Sequence, residues 1–118
     1  LLENVRQQGK QLETLLGETF SEHPHVGDIR GRGLFWGIEL VKDKTTKQPF
    51  PPELKLHSRI KNLAMDAGLI CYPGGGTKDG VSGDHIMLAP PFIVTREHLL
   101  EITAKLLMAI NQGIHEIE

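Results

Sequence analysis

Residues 26–41 read Val-Gly-Asp-Ile-Arg-Gly-Arg-Gly-Leu-Phe-Trp-Gly-Ile-Glu-Leu-Val, and this stretch decides the fold. Large apolar residues occupy every second position from Leu34 to Leu40, which is the period-two pattern of a β-strand. We therefore predict one long strand here, at the centre of a small sheet. Four of these sixteen residues are glycine. Glycine weakens a strand, so this density predicts a bulge, a sharp bend or a second backbone packed close by.

The segments on either side of this strand have the periodicity of helices. Apolar residues in 1–20 recur on one helical face, which predicts a helix that runs to about Phe20. A second helix is predicted over 53–67, and Gly68 is placed to end it in the left-handed conformation. Thr95 is the predicted N-cap of a last helix, because its hydroxyl can accept hydrogen bonds from the free amides of the first turn.

Two short apolar runs, 69–72 and 85–89, are each closed by proline and are predicted to be strands. Between them, residues 74–83 include five glycines, and we predict a mobile loop beside a functional site. This loop lacks the spacing of a nucleotide-binding glycine motif. The order of elements predicts an α+β fold, in which three helices pack on a small, mainly antiparallel sheet of about three strands.

The composition is that of one soluble globular domain, since 39% of the 118 residues are hydrophobic and 24% are charged. The formal net charge of −2 argues against nucleic acid or an anionic membrane as partner. No apolar run is long enough to span a membrane. The single cysteine, Cys71, favours a reducing, cytoplasmic location. Because the helical pattern starts at Leu1, we interpret the chain as a piece of a longer protein.

Several residue types that often form sites are present, but their spacing is uninformative. The six histidines have no cysteine or carboxylate at ligand spacing, so we predict no metal site. Cys71 has no neighbouring histidine and is interpreted as a small buried side chain. Arg30 and Arg32 flank Gly31 and could bind a carboxylate, or could form ion pairs at the surface.

Two motifs carry a family resemblance. The first is 26–40, quoted above, and the second is Gly-Asp-His-Ile-Met-Leu-Ala-Pro-Pro-Phe-Ile-Val-Thr at 83–95. With both in this order, the sequence resembles the C-terminal segment of class III aminotransferases, pyridoxal-phosphate (PLP) enzymes of the ω-amino-acid:pyruvate and amine type. The resemblance implies that 1–118 is a single small domain of a fold-type-I enzyme, whose large PLP-binding domain is absent. It also implies a dimer or larger assembly.

In that family the Schiff-base lysine and the other groups that hold PLP belong to the large domain. The resemblance therefore implies that no catalytic residue lies in this chain and that the fragment alone is inactive. Its lysines fall in turns or on polar helix faces, where the ammonium is not desolvated as a reactive lysine would be.

The resemblance implies that this domain forms one wall of the substrate pocket. Candidate residues are Tyr72, Pro73, Gly74, Gly75 and Gly76, then Met87 and Arg30. Some family members grip a substrate carboxylate with an arginine at the position of Tyr72, and others at the position of Met87.

Both of those positions are uncharged in this chain. This argues against ornithine, 4-aminobutyrate or 2-oxoglutarate as the preferred substrate. It favours transfer of an amino group from an amine or ω-amino acid to a keto acid such as pyruvate. Two alternatives stay open from the residues themselves: a stand-alone α+β module that binds a small molecule or regulates, and a dimerisation domain.

Overall fold

In a computed structural model, the chain is described over residues 2–69, 71–76, 83–91 and 93–118. Three helices and four strands follow one another, with a short 3₁₀ turn at Pro52–Leu54. The elements are α1 (Leu2–Phe20), β1 (Val26–Arg32), β2 (Phe35–Leu40), α2 (Leu56–Asp66), β3 (Tyr72–Gly75), β4 (Asp84–Leu88) and α3 (Arg96–Ile117). The predicted α+β class is confirmed.

The four strands form one antiparallel sheet in the order β1-β2-β4-β3. Alternate residues of the two inner strands, such as Trp36, Ile38 and Ile86, are buried with apolar residues of all three helices in one core. The helices therefore cover one face of the sheet. Among the described residues, every helix is too short or too polar to cross a lipid bilayer.

The predicted long strand at 26–41 is wrong in one respect, because it folds back on itself as the β1–β2 hairpin. The bend occurs at Gly33, whose φ of +58° is in the left-handed region that favours glycine. The indole Nε1 of Trp36 donates a hydrogen bond of 2.7 Å to the Gly33 carbonyl. The predicted sharp bend is thus present, and it converts one strand into two.

The hairpin turn also lies directly against the first helix. A Cβ atom added to Gly9 of α1 would lie 2.8 Å from the carbonyl oxygen of Gly33 and 3.0 Å from its Cα. Real Cβ atoms do not approach backbone this closely. Gly9 is therefore required for contact between two backbones, whereas a Cβ at Gly17 of the same helix would meet nothing within 4 Å.

The second helix is shorter than predicted at its N-terminal end. The segment after Pro52 first forms the 3₁₀ turn, and Lys55 then takes a left-handed conformation, with φ 48°, that separates this turn from α2. The predicted end is confirmed, since Gly68 has φ +83°. Its amide donates to the Met65 carbonyl, and the Leu69 amide donates to the Ala64 carbonyl at 2.8 Å. These two bonds form the Schellman motif.

The third strand lies further along the chain than predicted. It is Tyr72–Gly75 rather than 69–72, so it takes in two glycines that were assigned to the loop. Its place at the edge of the sheet accounts for this, because an edge strand tolerates proline and glycine. Leu69 and Cys71 are buried in the core before it. Residues 77–82, which are the larger part of the predicted loop, lie outside the described residues, and so does Ile70.

The last helix begins where the sequence predicts. The Thr95 hydroxyl accepts a hydrogen bond from the His98 amide, and the His98 ring Nδ1 accepts from the Thr95 amide, each at 3.3 Å. This is a capping box in which histidine takes the position usually held by Glu or Gln.

Two substitutions in α1 test the backbone contact. We expect Gly9→Ala to lower the free energy of unfolding by about 1–3 kcal/mol, because α1 must move away from the hairpin turn. The control, Gly17→Ala, should raise it by about 0.5–1 kcal/mol, since alanine stabilises a helix wherever there is room. Urea unfolding of the two variants measures this. Equal effects at both positions would contradict the close packing.

Candidate functional site

The sheet face that points away from the helices is a candidate functional surface. It is made of the strand residues that alternate with the core positions, and we call it the open face. Its main members are Arg30, Phe35, Gly37, Glu39, Tyr72, Gly74, His85 and Met87. The sequence pattern of β2 and β4 produces it, since every second residue there is buried and the others are not.

Three of the predicted site residues lie in one row across this face. Arg30 is the cross-strand partner of Gly37, Gly37 is the partner of Met87, and Met87 is the partner of Tyr72. Neighbouring strands are about 4.8 Å apart, so the row crosses the whole sheet. Tyr72 and Met87, the two positions that the resemblance associates with a carboxylate-binding arginine, are thus direct neighbours.

Gly37 is a member of this row that sequence reasoning missed. A Cβ atom at Gly37 would lie 3.0 Å from the sulfur of Met87, so the methionine side chain lies across the space that the glycine leaves open. A shallow cavity of about 480 Å³ covers this part of the open face. Its lining combines the apolar Phe35 and Met87 with the polar Arg30, Glu39 and His85.

The charge on this surface is largely balanced. The guanidinium of Arg30 contacts Asp28 at 2.9 Å and Glu39 at 4.0 Å. Of the two readings of Arg30, the geometry therefore favours the surface ion pair over a free carboxylate-binding group. Arg32 lies outside this row, next to the hairpin turn, and its cross-strand partner is Phe35.

The edge strand β3 carries the other predicted residues. The Tyr72 side chain is 58% exposed and borders a second cavity of about 350 Å³ with Leu88 and Pro91. Gly74 is paired with His85, and a Cβ there would lie 2.8 Å from the His85 ring. The ring therefore lies over the Gly74 backbone.

The remaining predicted residues are placed differently. Pro73 is paired with Ile86, which is a core residue, so its backbone alternates away from the open face. Gly75 is paired with Asp84. Gly76 follows the strand with φ +75°, a conformation that favours glycine.

Sequence reasoning also missed a contact between His57 and Asp84. The ring Nδ1 of His57 donates to Oδ1 of Asp84 at 2.6 Å, and the backbone amide of His57 donates to the same oxygen at 3.1 Å. The two residues are 27 positions apart, so no local spacing indicates the pair. Asp84 is buried, with 3% of its surface exposed.

The described residues do not by themselves fit a metal ion or PLP. No group of three metal-ligating side chains occurs among them. None of their lysines lies on the four strands, and Lys78 lies outside the described residues. A lysine able to bind PLP covalently needs a desolvated, concave surrounding, which this surface does not provide.

Cys71, directly before β3, is buried as predicted, with 8% exposure. Burial raises the pKa of its thiol above the ordinary value, because the thiolate is poorly solvated there. This is the opposite of the pKa change that activates a nucleophilic cysteine.

Comparison with known proteins identifies the family. The family profile described as "Aminotransferase class-III" matches residues 1–110. The chain belongs to the class-III aminotransferases. An uncharacterized aminotransferase of Schizosaccharomyces pombe is 50% identical over 114 residues, which are 97% of this chain and 25% of that protein. The uncharacterized aminotransferase YodT of Bacillus subtilis is 34% identical over 117 residues, or 97% of this chain and 26% of that one.

Solved aminotransferase structures share the fold. An ω-aminotransferase from Paracoccus denitrificans superposes with TM-score 0.86 and 38% identity, over 98% of this chain and 24% of its own. A PLP-bound aminotransferase mutant from Vibrio fluvialis gives TM-score 0.86 and 37% identity, over 98% and 24% respectively. The chain thus spans about a quarter of the length of the relatives that it matches.

The buried thiol of this class-III aminotransferase chain gives a pH-dependent prediction. The folded-state pKa of Cys71 is raised, so the unfolded chain loses its thiol proton first. The stabilising contribution is present in full below the unfolded pKa of about 8.5 and is lost as the pH rises through the folded pKa. As the pH rises from the unfolded pKa to the folded pKa of this thiol, we expect the free energy of unfolding to fall less in Cys71→Ala than in the natural chain. Identical pH profiles would contradict the burial.

Proposed function

We propose that this chain is the C-terminal small domain of a PLP-dependent aminotransferase. The complete enzyme transfers an amino group from an amine or ω-amino acid to a keto acid such as pyruvate. The open face and the edge strand β3 form one wall of its substrate pocket. The observation that carries the proposal is the row across the sheet, in which Tyr72 and Met87 are neighbours and both are uncharged.

The size of the chain supports the placement as one domain of a larger enzyme. It matches about a quarter of each relative, and the solved neighbours include forms described as PLP-bound and PMP-bound. Since the described residues do not fit PLP, the groups that hold the cofactor would come from outside this chain. We therefore propose that no residue of this chain takes part in a chemical step and that the fragment alone is inactive.

The surface chemistry supports the substrate class. A substrate with a second carboxylate, such as 2-oxoglutarate, would need a guanidinium in the row, because two parallel hydrogen bonds to arginine are the strong way to hold that group. Tyr72 and Met87 cannot supply them, and Arg30 is already engaged by two carboxylates. An uncharged substituent on an amine substrate would instead contact the apolar ring of Phe35, the thioether of Met87 and the phenol hydroxyl of Tyr72.

Within the pocket, the residues of this chain would bind and orient the substrate. Met87 and Phe35 would exclude water from one side, because both present apolar surface to the cavity. The Tyr72 hydroxyl can donate or accept one hydrogen bond. We also propose that the complete enzyme is a cytoplasmic dimer or larger assembly with active sites at subunit interfaces.

The first test is the absorbance spectrum of the complete enzyme. We expect the visible band of enzyme-bound PLP to bleach when an amine or ω-amino acid is added and to return with pyruvate. A folded protein without the band would contradict the proposal and leave the stand-alone binding module. A band that no amine or ω-amino acid bleaches would contradict the substrate class alone.

A substitution at Tyr72 tests the position of the pocket wall. We expect Tyr72→Arg to raise kcat/KM for 2-oxoglutarate relative to pyruvate by about tenfold or more, because a charge-assisted pair with the second carboxylate contributes on the order of 1.5–3 kcal/mol. Tyr72→Gln, which is long and polar but neutral, is the control and should leave this ratio nearly unchanged. Equal ratios in the two variants would place Tyr72 outside the pocket.

A further inference from the structure

Asp84 is a charged residue in an apolar setting. It is the first residue of β4, its side chain is on the core side of the sheet, and 3% of its surface is exposed. Among the described residues, it is the only buried residue with a charged side chain. A buried carboxylate is costly unless hydrogen bonds and positive charge compensate it, so its partners indicate why it is there.

The first partner is the N-terminus of α2. His57 is the second residue of this helix, and its amide donates to Asp84 at 3.1 Å. The helix has no side-chain cap of its own, because its N-cap residue is Lys55 in a left-handed conformation. Asp84 therefore supplies the cap from another element, where the positive end of the helix dipole also favours a carboxylate.

The second partner is the His57 imidazole, which donates to the same oxygen at 2.6 Å. This bond fixes the direction of the ring. The ring in turn lies over β3, since a Cβ atom at Gly75 would be 2.8 Å from the ring Cε1. Gly75 is also the cross-strand partner of Asp84. One carboxylate thus joins the start of α2, the start of β4 and the end of β3.

Among the described residues, the strand that this ring covers has one partner in the sheet. β3 is four residues long and lies at the sheet edge, so only β4 pairs with it. Pro73 has no amide hydrogen to give to the sheet. Tyr72 and Gly74, which lie on the open face, belong to this short strand. Their position relative to Met87 and His85 therefore depends on what holds its far end.

We propose that the Asp84–His57 pair is a positioning device for β3, which sets where Tyr72 and Gly74 stand in the substrate wall. Both residues act through the strand and contact no substrate. The inference rests on the proposed function for its effect on catalysis, but the effect on the strand itself can be measured without activity.

The experiment compares variants of the complete enzyme. Asp84→Asn keeps the shape of the side chain and removes its charge, and His57→Phe keeps a ring over Gly75 and removes the donor. We expect each to raise the KM of the amino donor by about tenfold while kcat changes by less than about twofold, the pattern of weakened substrate binding with chemistry intact. Hydrogen exchange at the Tyr72, Gly74 and Gly75 amides should become faster by about tenfold.

Two further variants separate positioning from general destabilisation. Thr103→Val removes another buried polar group, whose hydroxyl donates to the Leu99 carbonyl at 2.8 Å within α3, and should leave both the KM and the β3 exchange unchanged. His57→Asn places an amide donor near the position of the imidazole Nδ1 and should restore part of the exchange protection that His57→Phe loses.

The outcomes are distinguishable. Unchanged β3 exchange in Asp84→Asn and His57→Phe would overturn the inference, as would an equal effect of Thr103→Val. Faster hydrogen exchange in β3 with an unchanged KM would show that the pair has a structural role only, and this result would also overturn the inference. If the complete protein lacks bound PLP, the proposed function fails, and the exchange data still decide whether the pair holds the strand. Should Asp84→Asn fail to fold, His57→Phe supplies the same comparison.

Discussion

The contact between the backbones of Gly9 and Gly33 constrains the rest of this domain. The carbonyl of Gly33 faces the first helix and accepts a hydrogen bond from the indole of Trp36. The positive φ of Gly33 produces the turn between β1 and β2. Any side chain at Gly9 would separate the helix from the hairpin. The hairpin that ends at this contact contains β2, an inner strand of the sheet, with which β4 pairs. This close approach of two backbones therefore sets the distance between α1 and the hairpin turn.

The two faces of the sheet have different roles because the inner strands alternate. The residues that face the helices form the core, and those between them form the open face with its balanced charges and its methionine laid over a glycine. Asp84 is the exception, a carboxylate on the core side. Its cost is offset by two hydrogen bonds from His57 and by the dipole of α2. A polar contact of this kind specifies one register of β3, since a shift by one residue would separate Gly75 from the histidine ring.

The described strands of this class-III aminotransferase chain carry no lysine, which agrees with our proposal that another domain holds PLP. In the proposed function this surface shapes one side of the substrate pocket and excludes water there, which requires no group with a lowered pKa. The pKa of the Cys71 thiol, directly before β3, is raised. What this surface can contribute is selection by charge and shape. In the pocket that we propose, an arginine at Tyr72 or Met87 would favour a substrate with a second carboxylate, whereas the phenol and the thioether present there are neutral. Changes at two neighbouring positions could thus alter the substrate range while the core stays the same.

The sequence by itself determined the features that depend on near neighbours in the chain. Thr95 caps its helix, Gly68 ends α2 in the left-handed conformation, and the alternation around Ile38 makes a strand, because each requires only a few consecutive residues. The two motifs at 26–40 and 83–95 also carried the family. Only the tertiary structure decided the rest. The fold-back at Gly33 depends on a helix packed against it, and β3 begins at Tyr72 because the sheet edge tolerates Pro73. The row from Arg30 to Tyr72 and the pair of His57 with Asp84 join residues far apart in the chain, and distances of that kind are set by packing of the elements rather than by local sequence.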